Sequence, residues 1–225
     1  MSGGIAMDGF ATVVRADDPV VRDHRVHGVP ILPGVVYLDT VLRAAVAAGY
    51  RLDELIIREV LFQRPVAPAA GTATRLMFRV DRASGRIRVE GQPLDPTGAP
   101  SGPVLYLAEC VVEQSVSTTS PSMDIGVLDS APDVRGLEEM YAQSGGRGIE
   151  HRDFMRARGR FRRVDDTVTA ELTLGPEATA YLPGFLLHPT FLDASTIVAF
   201  VDPARLGVDD DSAFVPIYFD TVRAW

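Results

Sequence analysis

The chain offers one histidine in a setting suited to proton transfer. Residues 23–39 read Asp-His-Arg-Val-His-Gly-Val-Pro-Ile-Leu-Pro-Gly-Val-Val-Tyr-Leu-Asp. An imidazole titrates near neutral pH and serves as base or acid with little adjustment. His24 sits in a short extended run, Gly28 follows, and Pro33-Gly34 opens an apolar segment. Pro33 cannot continue a strand ladder and pre-sets the backbone for a first helical turn. Gly34 permits backbone geometry that other residues resist. Val35–Ala48 lacks the polar face of a surface helix and reads as a helix buried all round. His24 is thereby held beside the start of a buried helix, where a reacting group is shielded from water. His24 and His27 also have the spacing of a metal pair, but neither Cys-x-x-Cys nor His-Glu-x-x-His accompanies them.

Composition narrows the function classes. The 225 residues suffice for one large domain or two small fused ones. Hydrophobic residues make up 46% and charged residues 23%, as in a globular protein. The formal net charge of −8 argues against nucleic acid and anionic membranes as partners. Cys110, alone in the chain, allows no internal disulfide and no Cys-rich zinc site. It lies in an apolar run, as a small core residue does. With no long apolar leader and no apolar run of about eighteen residues, a soluble, cytoplasmic protein is expected.

Asp8–Arg15 reads as an opening strand. Leu55–Phe62 follows the central helix, and Thr74–Val80 and Arg86–Glu90 alternate like half-buried strands. Gly91–Gly102 reads as a Gly/Pro-rich loop and 104–113 as a strand closing the first unit, residues 1–115. Residues 116–133, with Ser-Val-Ser-Thr-Thr-Ser-Pro-Ser, form a linker. The second unit, 134–225, starts with a helical pattern at Val134–Ala142 and a flexible turn at Ser144–Gly148. It continues with a basic strand carrying Arg156, Arg158, Arg160, Arg162 and Arg163, and an alternating strand at Thr167–Leu174. A second apolar helix is introduced by Pro189, and a last strand-like run covers Ala213–Trp225. The segment Pro189-Thr-Phe-Leu-Asp193 echoes Pro33–Asp39. One long helix and several antiparallel strands per unit make an α+β plan.

The spacing His24-x-x-x-Gly28-x-x-x-x-Pro33 resembles the signature of polyketide synthase dehydratase domains, the double-hotdog dehydratases. The resemblance implies two fused hotdog units, each an antiparallel sheet wrapped around a central helix. The second unit here is short of some C-terminal strands. It also implies a catalytic pair, His24 of the first unit and Asp193 of the second. Neutral His24 would take the α-proton of a 3-hydroxyacyl thioester. Asp193, kept protonated by its apolar neighbours, would donate to the leaving hydroxyl. Backbone N–H groups near Gly28, or at the helix start after Pro33 and Gly34, would polarise the thioester carbonyl. His27, Tyr37, His151, His188 and Ile197 are candidate walls of the site. No metal or redox cofactor is implied. The substrate would ride on the phosphopantetheine of an acyl carrier protein, with Arg156, Arg158 and Arg160 as a docking patch. Other synthase domains, and a second copy in a homodimer, are the further partners expected.

Two positions depart from the family pattern. The Gln or His usual four residues after the aspartate is Ile197, which cannot hydrogen-bond. The usual Tyr-Gly-Pro stretch is replaced by Gly148-Ile-Glu-His-Arg-Asp-Phe154, which puts His151 where a tyrosine is expected. Besides dehydration, a double-bond isomerase or cyclase, or a non-catalytic carrier-binding scaffold, therefore stays open. A hotdog hydratase acting on free CoA esters is a further option.

Overall fold

The computed structural model describes residues 8–115, 133–165, 167–199 and 215–223. The first half runs β1 (Asp8–Arg15), α1 (Pro19–Arg22), β2 (His24–Val26), β3 (Val29–Pro30) and α2 (Val35–Ala47). It continues with β4 (Leu55–Phe62), β5 (Ala73–Asp81), β6 (Arg86–Leu94) and β7 (Leu105–Gln114). The second half contains β8 (Arg135–Gly136), α3 (Leu137–Gly146), β9 (Ile149–His151), β10 (Arg158–Val164) and β11 (Thr167–Thr173). After these come α4 (Pro176–Ala180), α5 (Pro189–Ala199) and β12 (Tyr218–Arg223).

Alternating side chains build the main sheet, ordered β1-β5-β6-β7-β4-β12 with antiparallel neighbours throughout. In β5, Leu76, Phe78 and Val80 point into the core while Arg75 and Arg79 face solvent. The sheet wraps around α2, whose Leu38, Val41, Leu42 and Ala45 are buried, as the apolar segment after Pro33 requires. Cys110 belongs to this core, and burial pushes its thiol up to about 12, so it behaves as a small hydrophobe. A second core gathers Leu137, Met140, Phe161, Ala194 and Val198 between α3, α5 and the sheet β11-β10-β8. Among the described residues, no helix is long and apolar enough to cross a membrane.

Several boundaries differ from the sequence reading. The loop expected from Gly91 begins later, because Gly91–Leu94 still pair with Leu76–Ala73 in β5. Gly91 is itself required in that strand: a Cβ there would stand 2.6 Å from Leu107 Cδ1. The turn expected at Ser144–Gly148 is helical through Gly146, and the reversal falls at Arg147-Gly148. Residues 116–132 of the expected linker lie outside the described residues. The last strand forms at Tyr218–Arg223 and hydrogen-bonds to β4 of the first half's sheet.

Two buried aspartates join the halves. Asp23 accepts the Phe154 N–H at 3.2 Å through its carboxylate, and its backbone carbonyl accepts the Arg152 N–H at 2.8 Å. Asp39 on α2 accepts the N–H groups of Leu186 and Leu187 at 2.7 and 2.9 Å, just before α5.

Candidate active site

The small sheet β3-β2-β9 is the frame of the site. His27 and Gly28 both adopt positive φ, 49° and 78°, between the paired residues Val26 and Val29. That is a two-residue hairpin turn of the type glycine makes cheap. The turn folds β3 back on β2, so that the His24 carbonyl accepts the Ile31 N–H at 3.0 Å. The other edge of β2 pairs with β9, placing His24 directly opposite His151, with ring centroids 5.3 Å apart.

His24 Nδ1 lies 2.8 Å from the carbonyl oxygen of Ile31. A carbonyl only accepts, so Nδ1 carries the proton and Nε2 keeps a lone pair. Burial lowers the His24 pKa; His151 lowers it further, against the opposing pulls of Asp193 and the Ile31 carbonyl. His24 is therefore a neutral base at physiological pH.

Asp193 stands inside α5 rather than at its N-cap. His188 takes the capping position: its Nδ1 accepts the Thr190 N–H at 3.3 Å, and Nε2 donates to the Ala178 carbonyl at 3.2 Å. Burial lowers its pKa too, and both nitrogens serve the backbone. Asp193 Oδ2 is 2.7 Å from His151 Nε2. The two atoms meet at ion-pair distance but without hydrogen-bond alignment, and both are fully buried. Burial alone would push the Asp193 carboxyl up. His151 and, beyond it, His24 outweigh that and hold it below the usual carboxylate range. This reverses the expectation of a protonated Asp193, because the sequence gives no sign that an imidazole lies against it.

A cavity of about 300 Å³ opens on His24 and Asp193. Its walls come from Ile31, Pro33, Gly34, Tyr37, Phe62 and Ile217. Gly34 is needed there: a Cβ would lie 3.0 Å from the Phe62 ring. The Tyr37 hydroxyl is buried without a hydrogen-bond partner, as are both ring nitrogens of His151 and Asp193 Oδ2. Buried polar atoms are nearly always satisfied in native proteins, so the orphaned hydroxyl of Tyr37 on the cavity wall marks a place for a polar ligand.

The remaining expected residues fall elsewhere. His27 is exposed and covers Gly148, whose carbonyl accepts its N–H at 2.6 Å. Gly28 shapes the hairpin and does not line the cavity, whereas Pro33 and Gly34 do. Ile197 packs against the second core. Arg156 pairs with Glu138, and Arg160 with Glu171 at 2.8 Å, so carboxylates offset part of the basic strand; Arg158 is exposed. The sequence reading missed the wall from Phe62 to Pro65 and the segment 215–217, which no local pattern ties to His24.

One ring nitrogen each of His24 and His151 and one oxygen of Asp193 lie within 4.8 Å of one another. Such a set could ligate a divalent cation. The cation would have to separate His151 from Asp193 first. A second cluster, Asp23, Asp153 and Glu177, already receives the Arg22 guanidinium at Asp23 and Glu177.

Comparison with known proteins agrees with this frame. Residues 9–91 match the family model of the polyketide synthase dehydratase domain. Polyketide synthase PksL of Bacillus subtilis (strain 168) is 24% identical over 211 residues, 92% of this chain and 5% of that protein. The chain thus spans a small fraction of the curated relatives' length. A monomeric dehydratase domain from a trans AT polyketide synthase split module matches with a TM-score of 0.87 at 22% identity. The match covers 96% of this chain and 81% of that one. Two inactive mutants of the CurK dehydratase, one histidine-to-phenylalanine and one aspartate-to-asparagine, match at TM-scores of 0.81 and 0.80. Both are 16% identical, with 100% of this chain and 80% of theirs covered.

The fold is therefore a hotdog of the double, dehydratase type. The chain is thus similar to polyketide synthase dehydratase domains in sequence over most of its length and in fold.

Proposed function

We propose that this domain removes water from a 3-hydroxyacyl thioester carried on the phosphopantetheine of an acyl carrier protein, giving the enoyl thioester. The observation that carries the reading is the cavity shared by neutral His24 and the carboxyl of Asp193, one from each half. His24 Nε2 takes the α-proton, and the β-hydroxyl leaves from beside Asp193. Gly34 and Val35 at the start of α2 line the cavity, so that their N–H groups would bind the thioester oxygen as charge builds on it. As proposed, the step needs only these side chains and no metal or redox cofactor. In the CurK dehydratase, loss of a histidine or of an aspartate gives an inactive protein, which supports a His/Asp pair as the working part. Arg158 on the basic strand, and Arg64 at the cavity, offer positive charge to a carrier protein and its phosphate.

The test mixes the domain with a carrier protein bearing a 3-hydroxyacyl thioester and follows the acyl chain by carrier-ejection mass spectrometry. Loss of one water, abolished in both His24→Ala and Asp193→Asn, is the expected result. An unchanged mass with shifted ultraviolet absorbance would instead point to the isomerase or cyclase. Carrier binding without any acyl change would leave a scaffold.

A further inference from the structure

His151 is a buried histidine that the two-residue reading of the site does not use. It does not line the cavity, yet its Nε2 stands 2.7 Å from Asp193 Oδ2. Tyr141 packs behind it with ring centroids 5.3 Å apart, and the Tyr141 hydroxyl is engaged by the Ala157 N–H. The imidazole is thus packed against Tyr141 and set close to one carboxylate oxygen. Within α5 itself, the residue one turn after Asp193 is Ile197, which has no polar atom to offer. The support for Asp193 comes from the strand β9 instead.

Resting on the dehydratase reading, we propose that His151 is a positioning residue that holds Asp193 as a carboxylate, so that His24 alone carries the proton from the α-carbon to the departing hydroxyl. Asp193 Oδ2 is buried against His151, leaving the other oxygen toward the cavity. That oxygen accepts a hydrogen bond from the β-hydroxyl and turns its lone pair toward His24. A ring nitrogen of His24 and a carboxylate oxygen of Asp193 lie within 4.8 Å of each other. One hydroxyl oxygen making two hydrogen bonds of about 2.8 Å spans such a gap. His24 Nε2 takes the proton from Cα, and the electrons of that bond form the double bond. The Cβ–O bond breaks with its electrons on oxygen, and the same proton passes from His24 Nε2 to that oxygen, which leaves as water. His24 ends neutral and Asp193 unchanged, ready for the next substrate.

The titratable groups facing Asp193 are His151 from β9, His24 from β2 and Tyr141 from α3, with Tyr37 and Arg64 on the cavity wall. Replacing His151 by phenylalanine leaves Asp193 buried without the imidazole that lies 2.7 Å from its Oδ2, so the carboxylate survives only at higher pH. His24 also loses a neighbour that lowers its pKa. Both changes move the acid limb of kcat upward.

Infrared spectra of the full chain near about pH 6, read as differences from Asp193→Asn, test the resting state without substrate. The wild type is expected to lack a carboxylic-acid carbonyl band from Asp193, and His151→Phe to gain one. A band in the wild type that Asp193→Asn removes would overturn the proposal. In activity, the acid limb is expected to rise by about one pH unit or more in His151→Phe. It should move less in His151→Gln, which keeps a donor beside Oδ2. Equal loss of kcat in both variants with the limb unmoved would leave His151 a packing residue and overturn the proposal. If the wild type dehydrates nothing, the dehydratase reading fails by itself, and the infrared band alone decides whether His151 holds the carboxylate.

Discussion

Asp39→Ala should unfold the domain more readily than any surface change, because one carboxylate ties the two halves together. Oδ1 accepts the N–H groups of Leu186 and Leu187, and Oδ2 accepts from Arg43 Nε at 2.8 Å. The Asp39 side chain is 4% exposed and Arg43 35%. The arginine pair, facing water, contributes about 1 kcal/mol or less. The two backbone bonds are charge-assisted and part-buried, each worth about 1.5–3 kcal/mol. Alanine leaves both N–H groups unpaired, so the expected loss is roughly 3–6 kcal/mol, against a typical total of about 5–15. Asparagine has nearly the same shape and keeps a carbonyl oxygen for both donors. Asp39→Asn should lose only about 1–2 kcal/mol.

Urea unfolding of the wild type and both variants measures these differences, provided the slope with denaturant stays constant. An Asp39→Ala loss under about 1 kcal/mol, or an asparagine variant as damaged as alanine, would refute the reasoning. Activity gives a second reading. The tethered segment runs into α5, which carries Asp193, so Asp39→Ala should also lower turnover in the fraction that stays folded.

Three further outcomes are expected. Because burial depresses the His24 pKa, the unfolded chain binds more protons than the folded one below about pH 6.5; stability should therefore rise with pH up to that point and flatten above it, and urea midpoints against pH in His24→Phe should lose part of that slope. Gly34→Ala puts a Cβ 3.0 Å from Phe62, whose ring is boxed in by Tyr37 and Phe219 at 5.8 and 6.0 Å; with the wall displaced, kcat/KM should fall roughly 10- to 100-fold in the mass-spectrometric assay while the fold persists. Arg64→Ala should raise KM for the carrier-bound substrate about two- to fivefold with kcat nearly unchanged, and equal KM values would remove Arg64 from the binding of the arm.

The strands of the main sheet were legible because each buries one face, and burial of one face writes a period of two into the sequence. The core helix α2 was legible because it is apolar apart from Asp39, Thr40 and Arg43 and starts at Pro33-Gly34. The frame of the site was not. Strands β2 and β9 are three residues each, too short to carry a period, and their pairing joins residues far apart in the chain. The sequence therefore offers His151 only as one candidate wall residue among several, although it faces His24 across the pair and touches Asp193. The helix at Ser144–Gly146 was hidden for the opposite reason: its two glycines signal a turn, yet Ser144 fixes the end of α3 by donating to the Ile149 carbonyl at 3.1 Å.

The echo between Pro33–Asp39 and Pro189–Asp193 marks where sequence reasoning reaches its limit. Asp39 and Asp193 both occupy the first turns of apolar helices after a proline, and both are buried. Position and residue type are the same, but the partners differ. Asp39 meets two backbone N–H groups at one oxygen and an arginine at the other, which make it a tether. Asp193 meets one imidazole at one oxygen, and its other oxygen faces a cavity. A carboxylate with an unspent acceptor beside a neutral base can act on a substrate, whereas a fully engaged one cannot. The chemistry of the second half thus depends on what Asp193 lacks, and only the spatial pairing of His24 with His151 reveals it.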